Sequence, residues 1–225
     1  MNRVLVLVEG PTERVIIQQV FAPDLGVKNV FLNPKVVGQP GHKGGNRFAA
    51  VRRELRNLIC QEPESIVTMF FDYYGLGNDW PERETTRGKS IEIARGTLEK
   101  ALADTIRLDM GDGFNPERFI PYIQFHEMEA LLFADPEEMA KVFQKPGLKT
   151  AFEQDVKDCG GCENINNNYE TAPSRRIQKH FPGYKKGSSV NAHAWRIAQH
   201  IGVEKIRQQC PNFNDWYAKL ERLGE

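Results

Sequence analysis

Apolar residues along the chain fall into two alternating patterns. Val4 to Val8 is a short unbroken apolar run, the signature of a strand covered on both faces. Gly10 then permits a tight turn and Pro11 suits the first position of a helix, and Val15, Ile16 and Val20 continue at helical spacing. A second strand is predicted over Val30 to Val37, followed by a loop rich in Gly and His from Gly38 to Gly45. Phe48, Val51, Leu55, Leu58 and Ile59 mark the apolar side of a helix over Asn46 to Cys60. Ser65 to Phe71 repeats the buried-strand pattern and ends at Asp72. After an irregular polar stretch from Tyr74 to Lys89, Ile91, Ala94, Leu98, Leu102 and Ile106 predict a long helix. Phe119 to Phe125 reads as one further strand, ending at His126-Glu127. Glu129 to Phe133 turns helical, Pro136 to Phe143 forms a short helix, and beyond about Gly147 only helices and loops are expected.

Strands alternating with helices predict an α/β fold with a mostly parallel sheet flanked by helices and a helical C-terminal extension. The expected division is an α/β domain over 1–146 with the extension, 147–225, packed on it, although a single domain fits the same pattern. The 225 residues are 40% hydrophobic, enough for a sizeable core. With 30 basic and 30 acidic residues the formal net charge is zero, which excludes a histone-like polycation but not a local basic patch. No apolar run is long enough to span a membrane, and no basic n-region precedes the first strand, so a cytoplasmic protein is expected. Cys60, Cys159, Cys162 and Cys210 do not form a disulfide framework, and Cys159-Gly-Gly-Cys162 is only half of a zinc site.

The chemistry lies in where the acids fall. Glu9 follows the first apolar run, Asp72 the third and Glu127 the fourth. Carboxyl ends of strands line the ligand crevice of an open parallel sheet, so these strands deliver carboxylates to one edge. Glu13, four residues after Glu9, and Glu129 fall near the same edge. Crowded carboxylates repel one another unless a cation binds or some are protonated, and hard oxygen ligands select Mg²⁺, Mn²⁺ or Ca²⁺. The competing account is that acids at helix starts merely complement the helix dipole. Lys43 sits in a Gly-rich loop whose backbone N–H groups suit a phosphate, and Arg175, Arg176, Lys179, Lys185 and Lys186 form a basic run, which also reads as a solvated helix face. His126 reads equally as a partner of the acids or as a structural histidine. Tyr73 and Tyr74 suit base stacking, but crevice-wall roles are the commoner use of such residues. The chain has no Gly-x-x-x-x-Gly-Lys-Ser/Thr phosphate loop, so it supplies no ATPase of that kind.

Val8-Glu9-Gly10-Pro11-Thr12-Glu13 followed by Phe71-Asp72-Tyr73-Tyr74 resembles the two signature elements of the Toprim fold, shared by topoisomerases, primases and the nucleases of the overcoming-lysogenization-defect family. With Pro40-Gly41-His42-Lys43-Gly44-Gly45, the segment from Tyr122 to Phe133, and Glu170-Thr171-Ala172-Pro173-Ser174-Arg175-Arg176, the chain is identified as a member of a Toprim-like bacterial family, domain-of-unknown-function family 4276. The resemblance implies Mg²⁺ or Mn²⁺ held by Glu9, Glu13, Asp72, Glu127 and Glu129, with Glu9 near the scissile phosphate as ligand or acid/base. It implies nucleic acid as substrate, DNA before RNA, contacted by Lys43, Arg175, Arg176 and Lys186. Lys185 takes the place of the late lysine that stabilises transition-state charge. A bacterial defence setting with an ATPase encoded nearby is also implied. One departure matters: the second signature element ordinarily reads Asp-x-Asp, and its second acid is here Tyr74. Two expectations therefore stand, a metal-dependent nuclease and a non-catalytic module that binds nucleic acid or a partner ATPase.

Overall fold

The first strand, β1 (Asn2–Val8), shows how the sheet is covered. Val4, Val6 and Val8 project into one apolar cluster and Leu5 and Leu7 into another, because successive strand side chains point to opposite faces. The computed structural model describes residues 2–38, 47–165, 170–184 and 191–225. After β1 come α1 (Pro11–Ile16), a π-helical turn (Ile17–Phe21) and α2 (Ala22–Gly26). Pro23 has no N–H to donate and its ring crowds the preceding turn, and the helix widens just before it, with the Ala22 N–H reaching back to the Ile17 carbonyl. Then follow β2 (Val30–Val36), α3 (Phe48–Gln61), β3 (Ile66–Asp72) and α4 (Ile91–Met110). The Ser90 side chain accepts from the Ile93 N–H to start α4, and Gly111, at φ 79°, ends it in a conformation few other residues adopt.

The five-stranded sheet runs β2-β1-β3-β4 (Phe119–Ile120), with β5 (Ile123–Gln124) pairing β3 further along, and every pairing is parallel. Val8 lies opposite Val36 on one side and Phe70 on the other, and Asp72 lies opposite Gln124. The single strand expected over Phe119 to Phe125 is instead two short ones, β4 (Phe119–Ile120) and β5 (Ile123–Gln124). Pro121 interrupts them because it cannot donate to a ladder. The Ile120 carbonyl is satisfied by the Thr68 hydroxyl, which in turn accepts from Trp216 Nε1 at 2.9 Å.

On one face α3 and α4 pack Val51, Leu55, Leu98 and Leu102 against Leu5, Leu7 and Met69. The other face is covered by α1, α2 and the C-terminal helices α5 (Pro136–Val142), α6 (Lys149–Cys159), α7 (Pro173–His180), α8 (Asn191–Ile201), α9 (Val203–Gln209) and α10 (Pro211–Glu221). Phe213, Trp216 and Leu220 of α10 join Val4, Val6 and Phe70 in one cluster. Trp216 stacks on Tyr122 (4.9 Å) and meets Phe70 edge-on (5.5 Å). Truncating so large a buried ring costs about 3–5 kcal/mol. The C-terminal helices thus supply the second covering layer of the sheet. Among the described residues, no helix is long and apolar enough to cross a membrane.

Candidate functional site

The carboxyl ends of β1, β3 and β5 lie side by side, with Glu9 just past β1, Asp72 the last residue of β3 and Glu127 three residues beyond β5. Glu9, half-buried, is the first residue past β1. Its carboxylate lies against Gly75: a Cβ there would sit 3.0 and 3.2 Å from the two Glu9 oxygens. Gly75 is therefore needed for close approach, and an alanine would push the Glu9 carboxylate aside. Gly75 closes a 3₁₀ turn, Tyr73–Gly75, that begins at Asp72. Asp72 Oδ1 accepts from the Tyr74 N–H at 2.9 Å, which orients the carboxylate at the end of β3. Glu9 and the Asp72 turn are thus physically joined at the edge.

Glu13 lies in the first turn of α1, with one oxygen 3.1 Å from where a Cβ on Gly10 would stand. Glu127 precedes a 3₁₀ segment, Met128–Ala134, and its Oε2 accepts from the Ser174 N–H (2.8 Å) at the start of α7. Glu129 is 1% exposed and accepts from the buried Tyr184 hydroxyl at 3.1 Å. Tyr184 reports on the whole group. Burial raises its pKa well above the ordinary range, and the charges of Glu129, Glu127 and Glu13 raise it further. Of these acids Glu129 touches the hydroxyl, and the charges of Glu127 and Glu13 act on it from further away.

His126, also buried, stacks on Tyr74 with ring centres 5.5 Å apart and planes 13° apart. Burial pushes its pKa down to about 4, against the pull of Glu127, so it is neutral near pH 7. Its Nδ1 is buried without a hydrogen-bond partner among the described residues. Arg175 is exposed and bonds Gln178 Oε1 at 3.1 Å. Arg176 turns to Asp155 (2.7 Å) and the Thr171 carbonyl (3.0 Å), so its guanidinium ties α7 to α6. Lys43, Lys185 and Lys186, with His42, lie outside the described residues.

Three features were not foreseen. Arg83, from the irregular polar stretch, is buried; it lies 3.9 Å over the Tyr73 ring, donates to the Tyr73 hydroxyl at 2.8 Å and forms no ion pair among the described residues. The Tyr184 hydroxyl reaches Glu129 from a position 55 residues away. Cys162 lies 3.0 Å from Cys210, sulfur to sulfur, with both thiols buried, and the hydrogen bond with Cys162 and then burial raise the Cys210 pKa.

This architecture defines an α/β protein whose parallel sheet carries acidic residues at its carboxyl edge. The chain belongs to the family described as Domain of unknown function (DUF4276), whose model matches residues 8–221, from the end of β1 to the last residue of α10. Neither a curated protein nor a solved structure matches it.

Proposed function

We propose that the chain is a metal-dependent phosphodiesterase of Toprim type acting on nucleic acid, DNA before RNA. The observation that carries this reading is the seat of Glu9 against Gly75, on the turn that Asp72 opens. Two carboxylates on neighbouring strand ends, one oriented by a backbone N–H and the other by a glycine-cleared surface, suit a polar reaction centre.

The donor set fits Mg²⁺ or Mn²⁺ in kind, since the acids offer only hard oxygens. Among the described residues, no three acids, histidines or cysteines are arranged to enclose an ion. Mg²⁺ keeps several waters and binds through one or two carboxylates plus phosphate oxygens. Glu9 and Asp72 would hold the ion, with Glu13, Glu127 and Glu129 extending the acidic surface. When bound, it supplies charge neutralisation at the phosphate and a more acidic water. Glu9 is the group to take the proton from the attacking water. Asp72, held by the Tyr74 N–H, keeps its carboxylate fixed. Lys185 would meet the charge that develops on the phosphate, and Lys43, Arg175 and Lys186 would follow the backbone of the strand. Arg176 contributes by holding α7 in place.

A second reading, a non-catalytic module for nucleic acid or a partner ATPase, is favoured by Tyr74 in place of a second acid and by the use of Glu127 to cap α7. The two are separated by Glu9→Gln, assayed with Mn²⁺ and with any ATPase encoded beside the gene. The phosphodiesterase reading expects cleavage to fall by orders of magnitude while binding changes little. It also expects Mn²⁺ to raise the melting temperature of wild type, through binding to the folded state alone, and Asp72→Asn to abolish that rise. Equal cleavage by wild type and Glu9→Gln, with no response to Mn²⁺, leaves the module as the account.

A further inference from the structure

Tyr73 and Tyr74 are consecutive, yet the fold uses them in opposite ways. Tyr73 is 3% exposed, stacks on Phe125 at 4.2 Å, and has its hydroxyl bonded to Arg83 and Thr86. It is a wall of the site and its polar tip is satisfied. Tyr74 is 45% exposed, and its hydroxyl makes no hydrogen bond among the described residues. Its ring is nonetheless held in place. It lies nearly parallel to His126 and meets Tyr73 (84°) and Phe125 (83°) edge-on. Its N–H is tied to Asp72, and the next residue, Gly75, bears the Glu9 carboxylate.

An aromatic ring that is fixed from below and open to solvent, with its own N–H on Asp72 and the next residue against Glu9, has the makings of a stacking surface. Rigid aromatic contact area costs little conformational entropy on binding, and any nucleobase presents a π-face. The rings beneath and beside Tyr74 would keep this geometry when a base arrives. A base in a continuous duplex is already stacked on both faces, whereas an unpaired one is available.

We infer that Tyr74 is a stacking platform for an unpaired base, which makes single-stranded nucleic acid, or the frayed end of a duplex, the ligand of this edge. The inference deepens the phosphodiesterase reading, since it places a base next to the residues assigned to the phosphate, but its test reads binding and not cleavage. Tyr74, where the Toprim resemblance expects a second acid, thereby gains a use of its own.

The experiment measures equilibrium binding of the full chain to a single-stranded oligodeoxynucleotide carrying 2-aminopurine and to the blunt duplex of the same sequence, with Ca²⁺ replacing Mn²⁺. Wild type should quench the single-stranded probe. Tyr74→Ala should weaken single-strand binding about 5- to 150-fold, the range for loss of one stacked base, and leave duplex binding alone. Tyr74→Phe and Tyr74→Trp should keep the affinity, which separates a stacking role from a folding defect. Unchanged single-strand affinity in Tyr74→Ala, an equal loss for both forms, or a wild type that binds neither overturns the platform. The cleavage comparison with Glu9→Gln is scored separately, so a protein that stacks bases without cutting keeps this inference and loses the phosphodiesterase reading.

Discussion

The entrances to α7 and α10 are built alike and set in different electrostatic surroundings. Each helix begins with a proline, Pro173 or Pro211, after a residue, Ala172 or Cys210, that offers no side-chain cap. Each borrows a carboxylate from far along the chain instead. Glu163 serves α10: its Oε2 accepts from the Asn212 N–H (2.9 Å) and Nδ2 (3.0 Å), and its Oε1 from the Phe213 N–H (2.9 Å). Glu127 serves α7 through the Ser174 N–H. Arg95 acts favourably on Glu163, which shares the surroundings of Tyr122 with one other acid, Glu99, itself paired with Arg95, whereas Glu127 shares those of Tyr184 with Glu13 and Glu129. A carboxylate at a helix start is thus a complete structural device when its neighbours are donors and a cation. The same device placed among other carboxylates carries repulsion that the cap alone does not explain.

Removing the isolated cap should give the largest effect. Glu163→Ala leaves the N–H groups of Asn212 and Phe213 without their acceptor, Phe213 being fully buried, and should cost about 3 kcal/mol in urea unfolding, the same with and without Mn²⁺. Glu163→Gln, which keeps an acceptor, should cost less. Burial raises the Glu163 pKa, so the folded state holds that proton longer than the unfolded chain does. The stability of wild type relative to Glu163→Gln should therefore fall as pH rises above the ordinary carboxyl range. A loss below about 1 kcal/mol for Glu163→Ala would show that the cap is incidental.

The acid edge should show its own pH signature through His126. The folded state disfavours the imidazolium and the unfolded chain does not, so stability is lost as pH falls from about 6.5 to the folded value of about 4. Over that window the loss is about 3 kcal/mol. His126→Phe, which keeps a ring beneath Tyr74, should remove this loss and flatten the difference between pH 7 and pH 4. A variant with the same acid profile as wild type would place the titration elsewhere.

How much of this was legible follows from where each signal sits. β1 carries an unbroken apolar run and β3 one interrupted only by Thr68, because both faces are covered, and their ends fix Glu9 and Asp72 without knowledge of anything distant. The apolar run from Phe119 to Phe125 predicts one strand, but Pro121 stands inside it and cannot donate to a ladder, so the strand breaks there. The caps were not legible. Glu127 and Glu163 meet their helices across 47 and 49 residues, and periodicity carries no information at that range. Cys162 invited pairing with Cys159 by spacing, yet the fold set it against Cys210, 48 residues on. Arg83 lay in a stretch with no period at all, so nothing marked it as a buried cation over Tyr73. The opposite fates of Tyr73 and Tyr74 depend on the 3₁₀ turn between Asp72 and Gly75, which composition alone does not announce.

The smallest expected effect is also the sharpest test of the comparison. Glu127→Gln keeps an oxygen for the Ser174 N–H but removes the charge. Losing a charge-assisted bond at a helix start destabilises by up to about 1 kcal/mol. Relieving repulsion with Glu13 and Glu129 works the other way. Without added metal the two should nearly cancel, leaving the variant within about 0.5 kcal/mol of wild type, far from the loss expected on removing Glu163. Mn²⁺ then divides the possibilities. If Glu127 contributes to holding the ion, the rise in melting temperature on adding Mn²⁺ should shrink in Glu127→Gln, because weaker binding to the folded state gives less stabilisation at the same concentration. If Glu127 is a cap and nothing more, the rise should match wild type, and the variant should be less stable than wild type by the same amount in EDTA and in Mn²⁺. That second outcome would make the α7 entrance a copy of the α10 entrance and confine the metal-binding acids to Glu9 and Asp72, with Glu13 and Glu129 left to be tested by the same two-condition melt.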